Sequence, residues 1–400
     1  MKGNKAFLTM VIILIASNLR GPLTMVGPLI PEMRQGFTQG NWLFGILTSI
    51  PLIVFGIISI LTPKLDSLFG KKSTIIGSLV FLSLGLLIRS FGTIPSLLVG
   101  TIVLALGIGI SNVLLSSVIV DRATPGDVGT LTGTLTTTMG MFAAIASGSS
   151  IALASIIGWK LSLGIFIVPS IIALIVWILF NKSYPKEEKK SSTKSSANLS
   201  HMLKDKLVWQ VALFMGSQSW LAYVVFAWVP SILIDRGMSP SLAAISLMMI
   251  QLFSLPASFI VPIISGKKTT QSRDVALTST LSLLGSLTLF SSNLPLIFIG
   301  LILIGIGQGA SISFAYLFFA MRGNNPSETA TLSGLSQTIG YFLASTGPLM
   351  FGFIRDTTFS WTTSLIIMII VHIFLITSGI LSGRNKKILT TYNINTKNLS

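Results

Sequence analysis

The sequence of 400 residues contains no cysteine, and charged residues make up only 10% of it. Without cysteine the chain has no disulfide and no thiolate ligand for a metal ion. An average soluble domain carries roughly 25% charged residues, whereas hydrophobic residues make up 51% of this chain. The composition therefore excludes an ordinary soluble protein and predicts a multi-pass integral protein of the cell membrane, surrounded by the lipid bilayer.

Acidic side chains are missing from the long apolar runs, because all eleven aspartates and glutamates fall in predicted loops or at helix ends. Carriers driven by protons commonly place a carboxylate within the membrane, and without one a protonatable solute could carry the proton itself. The sequence also lacks the clustered catalytic side chains of a membrane enzyme and the GxxxxGK[ST] loop of an ATP-driven pump. We therefore expect no enzymatic activity, no cofactor and no metal site.

Apolar runs of about 20 residues predict twelve membrane spans and hence an all-α membrane protein. The predicted spans lie near residues 6–30, 42–62, 73–91, 95–119, 129–154, 160–180, 207–233, 240–264, 275–292, 295–319, 329–353 and 361–382. Residues 181–206 are polar and rich in Lys and Ser, which is typical of a linker. The predicted organisation is an N-terminal six-helix bundle (1–180), a cytoplasmic linker (181–206), and a C-terminal six-helix bundle with a cytoplasmic tail (207–400).

The formal net charge of +16 would suit a nucleic-acid-binding protein if the charge covered a folded polar surface. Instead, lysines and arginines fall in the short gaps between apolar runs, and most of them lie in the gaps on one side of the predicted membrane. By the positive-inside rule, this asymmetry places both termini and the linker in the cytoplasm. We therefore expect no nucleic-acid partner.

The second half of the sequence repeats part of the first half at a nearly constant offset. Gly107, Gly109, Ser111 and Arg122 recur 200 residues later as Gly307, Gly309, Ser311 and Arg322. A second set between residues 125 and 137 recurs at a spacing of 201. Shared helix-packing composition is the alternative, because Gly and Ser are common in membrane helices. We interpret the matches as an internal duplication, which is a feature of many transporters.

Arg20 lies near the middle of the first predicted span. Its guanidinium stays charged at any physiological pH, and at bilayer depth it costs at least ~2.5–3.5 kcal/mol. No acidic residue within the spans could neutralise it. We therefore predict that Arg20 binds the negative group of a solute. The alternative is that Arg20 donates hydrogen bonds to backbone carbonyls freed near Gly21, Pro22, Gly27 and Pro28.

Other polar side chains fall at comparable depths and are candidate ligands of the same solute. They are Asn18, Asn112, Gln218, Ser219, Tyr223, Gln308, Gln337 and Tyr341. For each of them the usual alternative is an interhelical hydrogen bond, worth ~0.6 kcal/mol on average. Ser333, Gln337 and Tyr341 are four residues apart and are expected to share one helix face. Arg89, at the end of the third span, is expected to extend to the lipid headgroups.

Four stretches of the chain resemble the Major Facilitator Superfamily, in its branch of cyanate permeases and 2-nitroimidazole transporters. They are NLRGPLTMVGPLIPEMR (18–34), PGDVGTLTG (125–133), GSQSWLAYVVFAWVPSIL (216–233) and RGNNPSETATLSGLSQTIGYFLASTGPLMFG (322–352). The resemblance implies a monomer of two six-helix bundles that alternately opens a central site to each side of the membrane. It also implies small substrates, such as cyanate or related anions and heterocycles.

The family's signature in the loop after the second helix is present here only in part, as TPKLDSLFGKK. Asp66 stands one position too far from Gly70 and lacks the arginine that usually follows. The resemblance implies gating roles for the charged residues of this loop and for the two repeated arginines. These candidates are Asp66, Lys71, Lys72, Arg122 and Arg322.

Together these features predict a secondary active transporter that moves a small anionic or polar solute by alternating access. The expected solutes are a cyanate-like anion, a weak organic acid or a nitroheterocycle. A multidrug-type exporter or a lipid flippase of the same fold is the alternative, and a flippase would have a lateral opening lined by apolar residues.

Overall fold

The computed structural model describes residues 2–122, 127–182 and 202–388, and within these ranges the regular structure is helical. Most of the predicted linker lies outside the described residues, as does Pro125 of the repeat. The first seven helices are α1 (Lys2–Thr24), α2 (Val26–Gln35), α3 (Asn41–Phe69), α4 (Lys71–Arg89), α5 (Ile94–Arg122), α6 (Val128–Gly164) and α7 (Ile167–Lys182). The others are α8 (Lys206–Asp235), α9 (Pro240–Ser265), α10 (Ser272–Leu287), α11 (Leu294–Arg322), α12 (Pro326–Thr358) and α13 (Thr362–Ser382).

The first predicted span forms two helices, because the chain breaks between Thr24 and Val26. Pro28 lies in the first turn of α2 and has no N–H to donate to the carbonyl of Thr24. The break therefore follows from the proline that the sequence places there.

Nine helices among the described residues are long and apolar enough to cross a membrane. One of these runs from Thr130 to Phe180 and contains the fifth and sixth predicted spans. It turns at Gly158, whose φ of 77° is a conformation that glycine adopts readily. The two remaining spans are α10, which continues into a 3₁₀ turn at Thr288–Phe290, and α12, which is rich in Ser and Thr. The twelve predicted spans are thus all present as helices.

The two halves of the chain use glycine in the same way to pack neighbouring helices. A Cβ atom placed on Gly100 of α5 would lie 2.8 Å from the backbone oxygen of Gly85 in α4. A Cβ atom on Gly300 of α11 would lie 2.8 Å from the backbone oxygen of Gly285 in α10. Both pairs are separated by the offset of 200 residues seen in the repeat. The shared close approach supports an internal duplication.

The chain forms two compact units by its internal contacts. The first unit consists of the described parts of Met1–Glu187, Tyr223–Leu252 and Ser345–Ser364. The second consists of the described parts of Glu188–Ala222, Phe253–Ala344 and Leu365–Ser400. The end of α8, the start of α9 and the end of α12 therefore pack with the first half of the chain. We call these segments, 223–252 and 345–364, the outer segments, because the charge pattern places them toward the outside.

The predicted domains are an N-terminal bundle that ends at residue 180 and a C-terminal bundle that begins at residue 207. These boundaries follow the order of the spans along the chain, and they stay a prediction.

Candidate functional site

Arg20 lies on α1 in the first unit and is partly exposed. Its guanidinium has no hydrogen bond or ion pair with any side chain or carbonyl in the described ranges. Its backbone oxygen accepts a hydrogen bond from Thr24 Oγ1 at 3.4 Å. The alternative role, bonding to the nearby backbone carbonyls, therefore has no bond to support it in this part of the chain.

Asn18 lies two residues before Arg20 and is fully buried. Its Nδ2 donates to the carbonyl of Leu14 at 2.8 Å and to Ser17 Oγ at 3.3 Å. Its Oδ1 is buried and has no partner among the described residues. The amide is thus held by its own helix through the nitrogen, and its oxygen is left as an acceptor for an N–H or O–H group.

The other two candidates of the first unit have different surroundings. Tyr223 is partly exposed and packs edge-on against Phe226, with ring centroids 5.6 Å apart. Asn112 is also partly exposed, and its side chain makes no hydrogen bond within the described ranges. Both side chains thus have a surface from which a solute could be contacted.

Five candidates lie in the second unit: Gln218, Ser219, Gln308, Gln337 and Tyr341. Gln218 Nε2 donates to Ser219 Oγ at 2.7 Å, so these two neighbours form one polar group on α8. Gln337 Nε2 donates to Ser333 Oγ at 2.9 Å, which confirms that these residues share a helix face. The Nε2 of Gln308 is buried and has no partner in the described part of the chain. That these residues and those of the first unit bind one solute stays a prediction.

Arg89 differs from its expected position at the headgroups. Its side chain is 1% exposed, and it donates from Nη1 to the carbonyl of Pro22 at 3.0 Å and from Nη2 to that of Leu163 at 3.2 Å. The expectation that it extends to the lipid surface is therefore wrong. The long side chain turns into the protein, where backbone oxygens of α1 and α6 accept its hydrogen bonds.

A small pocket lies beside Arg89 in the first unit, with a volume of ≈ 20 Å³. Its polar lining comes from Arg89, Thr48, Thr101 and Tyr223. Sequence reasoning missed this pocket because Arg89 ends a helix, which is a common place for a lipid-facing arginine. The repeat gives a signal that points to Arg89, because the residue 200 positions later is the apolar Leu289. The charge at residue 89 is therefore not part of what the two halves share.

The outer segments approach the first half so closely that glycine is needed at the contacts. A Cβ atom on Gly27 of α2 would lie 1.9 Å from the backbone oxygen of Phe226 in α8. A Cβ atom on Gly45 of α3 would lie 2.7 Å from the backbone oxygen of Pro348 in α12. No ordinary side chain fits at either point without separating the backbones. We call this set of contacts the outer closure.

Asp356 adds a polar contact to the outer closure. It lies near the end of α12 and accepts hydrogen bonds at the start of α3, from Asn41 N at 2.9 Å, Asn41 Nδ2 at 2.7 Å and Trp42 N at 2.8 Å. The residue before α3 is Gly40, which has no side chain to bind these N–H groups. Asp356 therefore caps α3 from another helix, with its negative charge at the positive end of the helix dipole.

Three of the predicted gating residues lie on either side of Gly70, the one residue between α3 and α4. Lys71 pairs with Asp121, and its Nζ also donates to Ser117 Oγ at 2.8 Å. The carbonyl of Lys72 accepts from Trp177 Nε1 at 3.2 Å, and the carbonyl of Asp66 accepts from Gly70 N at 2.9 Å. Lys71 and Lys72 thus join α4 to α5 and α7 within the first unit, and a gating role for the three residues stays a prediction.

The two repeated arginines each contact the last helix of their own half. Arg122 lies over the ring of Phe180 in α7, with 5.0 Å from its guanidinium carbon to the ring centroid. Arg322 is buried, donates from Nε to the carbonyl of Ser382 in α13 at 2.8 Å, and is hydrogen-bonded to Gln271. These contacts support a role in holding each half together, and their predicted gating role stays a prediction.

Among the residues that the structure describes, no group of three or more His, Cys, Asp or Glu side chains comes together to hold a metal ion. The candidate ligands carry guanidinium, amide and hydroxyl groups, which bind solutes through hydrogen bonds and charge.

Comparison with known proteins gives consistent matches. Residues 7–348 match the family described as Major Facilitator Superfamily. The chain is 36% identical over 382 residues to "Uncharacterized transporter YycB" of Bacillus subtilis (strain 168), covering 94% of this chain and 93% of that one. It is 30% identical over 386 residues to "2-nitroimidazole transporter" of Escherichia coli (strain K12), covering 96% and 97%. It is 23% identical over 351 residues to "Cyanate transport protein CynX" of the same organism, covering 87% and 89%.

Among solved structures, a D-xylose-proton symporter aligns with a TM-score of 0.73 at 14% identity, covering 94% of this chain and 96% of that one. At this identity the likeness concerns the fold alone.

Proposed function

The chain belongs to the Major Facilitator Superfamily, and from this premise we propose that it moves a small anionic solute across the membrane by alternating access, with Arg20 binding the negative group. The family and the fold likeness confirm the predicted membrane fold of twelve helices in two six-helix halves. They also confirm a transporter of the cell membrane and not an enzyme. The proposal concerns the solute and the residues that bind it.

The observation that carries the proposal is the Arg20 guanidinium, which is partly exposed and has no partner among the described residues. A charged group at this depth needs water or a counter-ion, because lipid supplies neither. The spans of the sequence contain no carboxylate that could act as the counter-ion. An anionic solute supplies the missing charge, and the planar guanidinium donates two parallel hydrogen bonds to a carboxylate or a similar group.

The relatives support a small solute. Two of them are named for the transport of 2-nitroimidazole and of cyanate, and both match this chain over most of its length. A cyanate-like anion is our first choice, followed by a weak organic acid or a nitroheterocycle. Asn18 lies two residues before Arg20 on α1, so the two side chains do not share a helix face. Its buried Oδ1 has no partner in the described part of the chain and can accept a hydrogen bond from an N–H or O–H group.

The outer closure supports alternating access. Within the first unit, the backbone of α8 closely approaches that of α2 at Gly27. The backbone of α12 closely approaches that of α3 at Gly45. We propose that these contacts form when the transporter is closed to the outside and separate when it opens there. Asp356 would then release the start of α3 in each cycle. We also propose that the protein works as a monomer, by resemblance to its family.

Uptake by proteoliposomes tests the proposal. Labelled cyanate, a small carboxylate and 2-nitroimidazole would be offered to the wild type, to Arg20→Ala and to Arg34→Ala. Arg34 is an exposed arginine at the end of α2, so its replacement is a matched change of charge. Loss of a charged hydrogen bond of ~1.5–3 kcal/mol should weaken solute binding about 10- to 100-fold in Arg20→Ala and leave Arg34→Ala unchanged.

Arg20→Lys separates charge from geometry, because lysine keeps the charge but loses the planar fork. Partial activity in this variant would indicate that charge is the main requirement. Normal transport of every offered solute by Arg20→Ala, in protein that reaches the membrane, would show that the assigned role is wrong.

A further inference from the structure

Arg89 is a second cation in the first unit, and its charge is not balanced by the protein. The side chain is 1% exposed, and its guanidinium has no acidic partner within residues 2–122, 127–182 and 202–388. Nη1 and Nη2 donate to the carbonyls of Pro22 and Leu163, but Nε is buried and has no acceptor. A buried charge without a counter-ion is unfavourable, so an anion at this place would stabilise the protein.

The fold does not require a cation at this position. The offset of 200 residues that relates Gly85 to Gly285 and Gly100 to Gly300 pairs Arg89 with Leu289. Leu289 is fully buried in the second unit, where the same helix–helix contact is made without any charge. The guanidinium in the first half is therefore an addition to the shared architecture, and a leucine is compatible with that architecture.

The pocket beside Arg89 offers a second unsatisfied donor. Thr101 lines it with Arg89, is 1% exposed, and has no partner for its Oγ1 in the described part of the chain. The hydroxyl of Thr48 is already bound to the carbonyl of Phe44 at 2.9 Å. Two orphaned polar groups, Arg89 Nε and Thr101 Oγ1, thus belong to side chains that line one cavity.

The size and walls of the cavity indicate the kind of anion. Its volume of ≈ 20 Å³ gives room for about one ion or water molecule. Leu23, Val26 and Phe226 form much of the remaining wall. Such walls cannot replace the hydration shell of a doubly charged sulfate or phosphate, whereas a weakly hydrated monovalent anion loses less on entering.

We propose that the pocket of Arg89 and Thr101 binds one small monovalent anion, a halide or a short linear pseudohalide, at a site separate from Arg20. The Nε–H of Arg89 and the hydroxyl of Thr101 donate hydrogen bonds to this anion. Phe226 of α8 takes part in the outer closure, and it lines the pocket together with Tyr223 of the same helix. A bound anion therefore stabilises the closed outer side, because opening would remove part of its site. The inference does not depend on Arg20 as the ligand of the transported solute.

The test is a bromide titration of the purified full-length protein, followed by thermal unfolding, with sodium gluconate at the same ionic strength as the reference. Bromide should raise the unfolding midpoint of the wild type in a saturable way, since a ligand of the native state stabilises it. Chloride should act in the same way, and sulfate should have no such effect. Arg89→Leu introduces the residue that the second half has at the equivalent position, Leu289. This variant should bind bromide at least about tenfold more weakly than the wild type.

Two further variants keep the test decisive. Thr101→Val retains the guanidinium and the side-chain shape, and it should weaken bromide binding by about 2- to 10-fold even if Arg89→Leu does not fold. Arg20→Ala should keep the full bromide response. Wild-type bromide affinity in both Arg89→Leu and Thr101→Val would overturn the proposal. Loss of the response in Arg20→Ala but not in Arg89→Leu would also overturn it and would place the anion at Arg20.

Bromide has an anomalous X-ray signal, so crystals grown in bromide give a direct view. A peak within hydrogen-bond distance of Arg89 Nε and Thr101 Oγ1 is expected, and bromide peaks elsewhere with none at this pocket would contradict the proposal. Competition in Arg20→Ala identifies the source of the anion. Displacement of bromide by cyanate would assign the pocket to a passing pseudohalide solute, and displacement by chloride alone would assign it to a resident halide.

Discussion

Arg20 and Arg89 both lie in the first unit and both carry a charge that cannot be shed, but their surroundings are opposite. Arg20 is partly exposed and has no partner among the described residues, whereas Arg89 is 1% exposed and is held by two backbone carbonyls. The two carbonyls hold the Arg89 guanidinium in one position. The Arg20 guanidinium has no such partner in the described part of the chain, so a solute can bind to it and leave. The surroundings of an arginine, rather than its depth in a span, therefore decide which role it can take.

The largest expected difference between the two arginines is in the stability lost when each is replaced by alanine. Arg89→Ala leaves a cavity and removes the donors to two carbonyls, so we expect it to destabilise the protein by about 2–4 kcal/mol. Arg20→Ala removes no side-chain hydrogen bond or ion pair in the described part of the chain, so its stability should stay within about 0.5 kcal/mol of the wild type. Denaturant unfolding of both variants in the same detergent measures the difference. Equal destabilisation would show that Arg20 also has a structural role.

Opening the outer closure should remove the difference in exposure between the two arginines. Gly27→Ala places a Cβ atom 1.9 Å from the backbone oxygen of Phe226, so α2 and α8 must separate. Overpacking of this kind costs about 1–3 kcal/mol, which predicts about a 5- to 150-fold shift toward the open state.

The absence of native cysteine makes this shift measurable with one introduced thiol. Thr48→Cys, in the lining of the Arg89 pocket, should react faster with a membrane-impermeant maleimide added from outside when Gly27→Ala is present. Gly77→Ala is the matched control, because a Cβ atom on Gly77 meets nothing within 4 Å. An equal reaction rate in the two backgrounds would mean that the close approach at Gly27 does not control access.

The smallest effect is expected at the polar part of the outer closure. Asp356→Ala removes the acceptor for the N–H groups at the start of α3, a loss of about 1 kcal/mol for a helix cap. The same thiol at residue 48 should then react about fivefold faster, by the usual conversion of free energy to population. A change much larger than that of Gly27→Ala would show that this charge, and not backbone packing, closes the outer side.

The sequence was sufficient for much of this account. Hydropathy located all twelve spans, the prolines of the first span predicted loosened helix geometry, and the four-residue spacing of Ser333 and Gln337 predicted their contact. Arg20 was identified because a charge at mid-span is costly wherever the helix packs. The spans and the contact of Ser333 with Gln337 could be predicted because each depends on one helix at a time, and the role of Arg20 stays a prediction.

The rest depends on how helices pack, which one sequence does not reveal. Arg89 was expected at the lipid surface, and only its contacts with the carbonyls of Pro22 and Leu163 show that it turns inward. The pocket it lines needs residues from six helices, among them Thr101 and Tyr223. The packing of residues 223–252 and 345–364 with the first half likewise crosses the division that the polar linker suggests.

The central claim is that Arg20 binds the anionic group of the solute, and direct binding of labelled cyanate to the purified protein tests it without the complications of flux. We expect saturable binding by the wild type and by Arg34→Ala, and about 10- to 100-fold weaker binding by Arg20→Ala. If Arg20→Ala binds cyanate as tightly as a wild type that does bind it, the claim is contradicted.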